Sequence, residues 1–221
     1  MKKKRILALF LAAVSCLSLA VSASAASTAR KATDFRDFDK SAWYAEAVSA
    51  AVDNGLLYGK SATIIDPDGD MTRAEMAAII NRSFGCYAKA DISKYKDVSK
   101  DKWYFEDVAM AVQMGTYNGR SNTAMVPDAP ITRQEAMTVV ARALELDYDS
   151  YAKTDLSKFS DRDKISTWAL PYVRAMVGAD YIHGRGKILA PQDNITRAEF
   201  AQIFHNIIGS YTTAHQFPVP P

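Results

Sequence analysis

Thr72-Arg73-Ala74-Glu75 opens an apolar segment with helical spacing, and the motif returns as Thr132-Arg133-Gln134-Glu135 and Thr196-Arg197-Ala198-Glu199. It has the form of a capping box, in which the threonine hydroxyl accepts a hydrogen bond from the glutamate amide and the glutamate carboxylate binds the threonine amide. Apolar side chains then recur three and four positions apart. Each motif therefore predicts the first turn of a helix of about three turns.

The three motifs belong to three copies of a longer unit. Trp43, Trp103 and Trp168 precede the motif threonine by 29, 29 and 28 residues. Other matching positions are an aromatic-x-Asp triplet that starts each copy and a loop glycine and proline: Phe35-Arg36-Asp37, Tyr95-Lys96-Asp97 and Phe159-Ser160-Asp161, then Gly59, Gly119 and Gly184, then Pro67, Pro127 and Pro191. We place the copies at residues 34–85, 94–146 and 158–209, between a linker at 26–33 and a tail at 210–221.

Each copy is predicted to fold as helix-loop-helix, which makes the fold mainly α. An apolar stripe with helical spacing places the tryptophan on the buried side of the first helix, as in Trp43, Ala47, Val48, Ala51 and Val52. The loop is predicted to contain a short extended piece over residues 63–65. Because a copy of about fifty residues buries little surface alone, the three copies should share one core.

Residues 1–25 have the pattern of a secretory signal. A basic start, Lys2 to Arg5, precedes an apolar stretch, and small residues end at Ala23-Ser24-Ala25, which predicts cleavage after Ala25. A retained membrane anchor and lipid attachment at Cys16 are the alternatives. Beyond residue 26 no run approaches eighteen consecutive apolar residues, so we expect an exported chain with no bilayer span.

The charge of the chain excludes one class of partner. The whole sequence has a formal charge of +2, but the chain without its first 25 residues has 23 basic and 25 acidic side chains. A slightly acidic protein lacks the basic surface on which nucleic-acid binding depends. We therefore expect no nucleic-acid partner.

The sequence contains no set of residues typical of catalysis or metal binding. Cys86 has no evident histidine partner, which indicates a small apolar residue rather than a nucleophile. A calcium loop that begins at Asp66 would need glycine where Met71 stands and glutamate where Ala77 stands, so the segment does not fit. The histidines do not recur between copies. Because the repeated glutamates serve as caps, no acid pair remains for glycoside hydrolysis. We predict no enzyme activity, no cofactor and no metal.

The arginine of the motif needs a further explanation, because a cation in the first helical turn opposes the helix dipole by about 0.3–1 kcal/mol. One hypothesis is recognition, since a guanidinium at a helix N-terminus favours a carboxylate or phosphate ligand. The other is an ion pair with the aspartate of the opening triplet. That aspartate is also typical of a loop acceptor. Gln134, which replaces the small residue of the other motifs, is placed on an exposed helical turn.

Each copy resembles the S-layer homology repeat in the order of its motifs: aromatic-x-Asp, Trp-Tyr, Tyr-Gly, Pro-Asp and Ile-Thr-Arg-Ala-Glu. Three tandem copies cover nearly all of residues 34–209. The resemblance implies a pseudo-threefold prism around a central three-helix bundle. It also implies a protein of the bacterial cell wall or cell surface that is held noncovalently by a secondary cell-wall polysaccharide, often one with pyruvylated sugars. An S-layer or cargo protein is a further expected partner.

The resemblance further implies binding grooves between repeats that use the motif arginines Arg73, Arg133 and Arg197. The supporting candidates are the tryptophans, the cations after the loop glycines and the triplet aspartates: Trp43, Trp103, Trp168, Lys60, Arg120, Arg185, Asp37, Asp97 and Asp161. The third copy departs furthest from the pattern. Ala169 stands in place of tyrosine, Asp180 in place of the helix-ending glycine, and its loop is one residue shorter.

Two rival functions remain open at this point. A carbohydrate-processing enzyme needs a carboxylate pair outside the caps. A structural S-layer subunit assembles with itself and does so without wall polymer.

Overall fold

The computed structural model describes residues 30–209, and within them the chain forms six α-helices, two in each copy. They are α1 (Ala45–Asp53) and α2 (Arg73–Phe84), α3 (Phe105–Gln113) and α4 (Arg133–Ala143), and α5 (Leu170–Gly178) and α6 (Arg197–Ile208). Short 3-10 turns lie at Ala32–Asp34, Tyr148–Tyr151 and Arg162–Lys164. This part of the chain has isolated bridges but no β-strand, so the predicted mainly α class is confirmed. The predicted signal, Cys16 and the tail at 210–221 lie outside the described residues.

The capping boxes form at all three motifs. In α2 the Glu75 amide donates to the Thr72 hydroxyl over 3.1 Å, and the Thr72 amide donates to the Glu75 carboxylate over 3.0 Å. The same reciprocal pair begins α4 and α6. The helices that follow have 12, 11 and 12 residues, which agrees with the predicted three turns.

The first helix of each copy begins later than the apolar stripe predicted, and the tryptophan is not part of the core. Helix α1 begins at Ala45, and the buried aromatic is Tyr44. Trp43, Trp103 and Trp168 are 62%, 61% and 51% exposed. The prediction of buried tryptophans was wrong, because the side chain that faces the core belongs to the next residue.

The ends of the first helices explain how the third copy tolerates its departure from the pattern. Gly55 and Gly115 adopt φ values of +66° and +73°, the left-handed conformation that glycine adopts without steric cost. Asp180 adopts the same conformation at φ +64°. Aspartate is one of the few non-glycine residues that adopt this conformation readily, so α5 in the third copy ends in the same way as α1 and α3.

The helices pack in a cycle. Helix α2 packs against α3, α4 packs against α5, and α6 returns to pack against α1. The second helix of each copy thus covers the first helix of the next copy. At the closing contact, Phe200 and Phe204 of α6 lie with Ala51 of α1 around a small apolar gap. One apolar core contains buried residues from all three copies, as expected of copies that share a core.

A ring of backbone hydrogen bonds joins the residues that precede the motifs. The Met71 amide donates to the Ile195 carbonyl, the Ile195 amide to the Ile131 carbonyl, and the Ile131 amide to the Met71 carbonyl, each over 3.0 Å. All three side chains are fully buried. The contacts between copies are therefore cyclic. The prism and its central three-helix bundle stay predictions of the resemblance.

The triplet aspartates fix the loop between the two helices. Asp37 accepts hydrogen bonds from the Ile65 and Asp66 amides over 2.9 and 2.8 Å, and the corresponding pairs form at Asp97 and Asp161. Residues 63–65 form no strand, so the predicted extended piece was wrong. The loop returns close to the triplet, and a Cβ on Gly59 would lie 2.4 Å from the Phe35 ring. This contact accounts for the loop glycine.

Three further findings concern a residue of the second motif, the cysteine and the helices. Gln134 is buried, not exposed, because its amide exchanges hydrogen bonds with Ser166 at the start of the third copy. The Cys86 thiol is half-buried, and burial raises its pKa. None of the helices within residues 30–209 has the length and apolar character needed to cross a bilayer, and no cluster suited to a metal ion occurs in the same range.

Candidate binding sites at the repeat junctions

Each boundary between copies brings together a motif arginine from one copy and the cap glutamate and loop cation of the next. We call these clusters junction 1–2, junction 2–3 and junction 3–1, after the copies that they join. Their members are Arg73, Glu135 and Arg120, then Arg133, Glu199 and Arg185, then Arg197, Glu75 and Lys60. The three junctions follow from the cyclic packing, because the first turn of each second helix lies against the loop of the next copy.

The motif arginines form the buried floor of the junctions. Arg73, Arg133 and Arg197 are 5%, 5% and 2% exposed. The Arg73 Nε donates to the Met125 carbonyl and its Nη2 to the Asn118 carbonyl, each over 2.9 Å. Arg133 and Arg197 donate Nε in the same way to Leu189 and Ile65. Each arginine thus binds the loop segment whose amides the triplet aspartate holds.

The carboxylate partner of each arginine is the cap glutamate of the following copy. The distance from Nη1 to Oε1 is 3.6 Å for Arg73 and Glu135, 3.0 Å for Arg133 and Glu199, and 3.5 Å for Arg197 and Glu75. The ion-pair hypothesis therefore named the wrong partner. The triplet aspartate carboxylates bind backbone amides instead, which confirms the loop-acceptor interpretation.

Glu75 and Glu199 remain charged although they are partly buried. Burial by itself would raise the pKa of Glu75, but hydrogen bonds from Lys60 and the Thr72 amide, with the charge of Arg197, outweigh it and lower the pKa. The pKa of Glu199 is likewise lowered, because Arg185, Arg133 and the Thr196 amide outweigh the opposing effect of burial. One carboxylate in each of these junctions therefore lies between two cations at neutral pH.

The loop cations form the accessible side of the junctions. The side chains of Lys60, Arg120 and Arg185 are 35%, 38% and 38% exposed. Lys60 Nζ lies 2.6 Å from Glu75, whereas Arg120 and Arg185 each hold their glutamate through two nitrogens. A ligand that approaches a junction therefore meets this cation before it meets the buried motif arginine.

The three tryptophans present flat apolar surfaces to solvent. Trp43 contacts Tyr44 edge-on at 5.6 Å between ring centroids, and Trp103 contacts Tyr104 at 5.4 Å. More than half of each tryptophan is exposed, so ring surface is accessible to a planar or sugar-like partner. Exposed aromatic rings of this kind stack against the apolar face of other rings.

The sequence signature of the S-layer homology domain matches residues 34–77, 94–137 and 158–201. The chain belongs to this family. The three S-layer homology domains are the three tandem repeats predicted from the sequence, and each matched segment ends before the second helix of its copy does. The repeat boundaries placed from the sequence stay a prediction.

Relatives of the three S-layer homology domains occur within larger proteins. A surface-layer 125 kDa protein from Lysinibacillus sphaericus is 34% identical over 194 residues, which are 86% of this chain and 16% of that protein. A cellulosome-anchoring protein from Acetivibrio thermocellus is 28% identical over 153 residues, 65% of this chain and 33% of that protein. An endoglucanase from Bacillus sp. (strain KSM-635) is 24% identical over 210 residues, 93% of this chain and 22% of that protein.

The relatives match this chain over one part of their length, and the surface-layer relatives bear on its location. The chain spans at most 33% of the length of the three proteins, so the similarity concerns one module within each of them. With the S-layer homology signature, the surface-layer relatives indicate a secreted protein of the cell wall or cell surface.

The structure brings together some of the predicted site residues and separates others. Motif arginines and loop cations meet at the junctions through the cap glutamates. The triplet aspartates lie behind the loop, and the tryptophans lie at the start of the first helices. Sequence reasoning missed the role of the cap glutamates as ion-pair partners of the motif arginines. It also missed Tyr117, whose hydroxyl donates to the Arg73 carbonyl over 2.9 Å, and Asp193, which accepts from Arg185. A comparison of aligned loop positions could have identified Asp193, which corresponds to Gly69 and Ala129.

Proposed function

We propose that the three S-layer homology domains form a noncatalytic module that anchors an exported protein noncovalently to an acidic, pyruvylated secondary cell-wall polysaccharide. The observation that carries the proposal is the repeated junction. Each one places two cations around a cap glutamate and leaves part of the loop cation exposed to solvent. An arginine side chain donates parallel charge-assisted hydrogen bonds to a carboxylate, so it can bind the acidic group of a pyruvylated sugar.

The members of a junction have different roles in this proposal. The loop cations Lys60, Arg120 and Arg185 contact the acidic group, and the exposed tryptophans stack on sugar rings. The motif arginines position the loop through its carbonyls and hold the glutamate that orients the loop cation. A direct contact between the motif arginines and the glycan, as the family resemblance implies, stays a prediction.

The repeated glutamates support the assignment of a module without catalysis. Each one is already used twice, as a helix cap and as the anion of a junction. A glycosidase needs two carboxyl groups that are free to donate a proton and to attack or activate water. The endoglucanase relative resembles this chain over 22% of its own length, which is compatible with an anchoring module attached to a separate catalytic part.

Sedimentation with purified cell walls tests the proposal. The chain without residues 1–25 should sediment with intact walls and not with walls from which the polysaccharide or its pyruvyl groups have been removed. Replacing Lys60, Arg120 and Arg185 by Gln should abolish sedimentation of a folded protein. Replacing the exposed Lys40, Lys100 and Lys102 by Gln removes the same charge away from the junctions and should leave sedimentation unchanged.

The tryptophans need a separate test, because stacking does not depend on charge. Trp103→Ala should weaken wall binding without loss of stability, whereas Tyr87→Ala, at an aromatic ring that is 69% exposed, should not. Undiminished binding of depyruvylated walls would show that the acidic group is not pyruvate. Ordered lattices formed by the protein alone, without wall polymer, would favour the structural S-layer subunit.

A further inference from the structure

We propose that the three junctions are unequal, that Asp193 occupies the anion position of junction 2–3, and that junction 1–2 is the principal site for the acidic glycan. This inference rests on the proposed function and specifies which surface performs it.

Asp193 completes the set of partners around Arg185. Arg185 Nε and Nη2 donate to Glu199 over 2.6 and 3.0 Å, and Nη1 donates to the Asp193 carboxylate over 2.9 Å. All three nitrogens of the guanidinium therefore bind carboxylate oxygens of the protein itself. The Asp193 charge also lies close to Arg133, the buried cation of the same junction. An external acid would therefore have to compete with Glu199 and Asp193 for this arginine.

Junction 1–2 has the same framework without the extra acid. Arg120 Nε and Nη2 hold Glu135, and Nη2 also donates to the Pro130 carbonyl over 3.1 Å. Within residues 30–209, Arg120 Nη1 has no hydrogen-bond partner. The residue that corresponds to Asp193 is Ala129, whose methyl group cannot accept a hydrogen bond. The nitrogen that binds Asp193 in one junction is therefore open in the other.

The backbone at the two positions is equivalent, so the side chain alone makes the difference. The Arg73 amide donates to the Ala129 carbonyl over 3.0 Å, and the Arg133 amide donates to the Asp193 carbonyl over 2.8 Å. Arg185 donates to the Asp193 carboxylate over 2.9 Å, which shows the kind of group that the free edge of Arg120 can bind. The carboxylate of an acidic sugar is such a group.

Junction 3–1 is also less favourable for an anion. Its loop cation is Lys60, a point charge that cannot form the two-pronged contact of a guanidinium. Asp66 adds a negative charge near Arg197, whereas the second and third copies have Val126 and Ala190 at this position. Among residues 30–209, the ion pairs of the loop cations join Lys60 and Arg120 to one carboxylate each, and Arg185 to two.

Reciprocal exchange of the two residues tests the inference. The probe is the methyl glycoside of a pyruvylated sugar, titrated calorimetrically into the chain without residues 1–25. The wild-type protein should bind one molecule tightly. Ala129→Asp should weaken that site about tenfold or more, the effect of losing one charge-assisted hydrogen bond. Asp193→Ala should add a second site of comparable affinity.

Matched variants separate this local effect from charge and folding. Asp163→Ala removes an acid that is 89% exposed and lies 3.8 Å from Arg162, outside the junctions, and should not add a site. Ala129→Asn introduces the same shape and a hydrogen-bond acceptor without the charge, and should weaken binding less than Ala129→Asp does. If an exchange variant melts early, Arg120→Ala should remove the tight site, whereas Lys40→Ala, at an exposed cation away from the junctions, should leave it intact.

The possible results distinguish the inference from the proposed function. Wild-type protein that binds no probe contradicts both. Tight binding by the wild type, together with an unchanged number of sites in Asp193→Ala or an unchanged affinity in Ala129→Asp, overturns the inference and leaves the proposed function in place. Three equal sites in the wild type would overturn it as well.

Discussion

At the scale of single residues, the motif arginine is unfavourable for its own helix and favourable for the link between copies. A cation in the first turn opposes the helix dipole. Arg73 offsets this cost through carbonyl oxygens of the next copy and through the Tyr117 ring, which lies 5.3 Å from the guanidinium carbon. The burial of Tyr117 raises the pKa of its hydroxyl, which donates back to the Arg73 carbonyl. The arginine therefore links two copies by contacts that neither copy contains alone.

Arg73→Ala should lower the free energy of unfolding by about 3 kcal/mol, because it leaves buried carbonyl oxygens of the second copy without donors. Urea denaturation followed by circular dichroism measures the change. Lys100→Ala, which removes an exposed cation of the second copy, should change stability by less than about 0.5 kcal/mol. An equally small loss in Arg73→Ala would show that these bonds do not stabilise the fold.

The residue scale is also where sequence reasoning reached its limit. The capping threonine and glutamate could be predicted, because both act within one helical turn. The burial of the arginine could not, since its partners Met125 and Asn118 lie about fifty residues further along the chain. The exposure of Trp43 was missed for a different reason: Tyr44 beside it is also aromatic, and an apolar pattern does not decide which of two neighbours faces the core.

At the scale of helices, the beginning and the end of each element are fixed by different chemistry. A capping box begins the second helix of each copy, and a residue in the left-handed conformation follows the first helix of each copy. These local devices were accessible from the sequence. The pairing of helices was not, because α2 packs against the helix of the next copy rather than against α1. A helix-loop-helix pattern by itself does not distinguish the two arrangements.

Thr72→Ala removes the side-chain acceptor at the start of α2 and should cost about 0.5–2 kcal/mol of unfolding free energy. Thr63→Ala is the matched control, since Thr63 is exposed in the loop and caps no helix. Thermal or urea unfolding of both variants measures the difference. Equal stability of the two would mean that the Glu75 amide finds another acceptor, such as water.

Asp180→Gly should raise stability by about 0.5–1 kcal/mol, because glycine adopts the left-handed conformation at the end of α5 without the steric cost that a Cβ brings. The reverse change, Gly55→Ala at the end of α1, should lower stability by a similar amount. Melting temperatures of the two variants give the comparison. A destabilised Asp180→Gly would indicate that the 3.3 Å contact between Asp180 and His183 contributes more than the backbone strain costs.

At the scale of the whole molecule, stability depends on closing the cycle of copies. Each copy leaves an apolar helix face that only a neighbour covers, and the last copy covers the first. A polypeptide of residues 34–85 alone should therefore be unfolded or aggregated, whereas the chain without residues 1–25 should melt in one cooperative transition. Circular dichroism and calorimetry distinguish these outcomes. Independent cooperative melting of the single copy would contradict a shared core.

The pH dependence of stability is a second property of the closed cycle, because the cap glutamates lie between copies. The pKa values of Glu75 and Glu199 are lowered in the folded state, so the folded protein binds fewer protons than the unfolded chain near the ordinary glutamate pKa of about 4.3. Their contribution to stability is therefore fully present above that pH and is lost as the pH falls through the lower folded-state values.

We expect the melting temperature to be nearly constant from about pH 8 to 5 and to fall below about pH 4.3. The double variant Glu75→Gln and Glu199→Gln should melt earlier at pH 7, because Arg197 and Arg133 then lose their buried counter-charges, yet its melting temperature should fall less steeply in acid. Glu145→Gln, at an exposed glutamate outside the junctions, should keep both the wild-type stability and the wild-type slope. Calorimetry of the three proteins between pH 3 and 8 measures these slopes. An unaltered acid slope in the double variant would show that other carboxylates are responsible. Asp37 and Asp97 would be the next candidates, because their pKa values are also lowered.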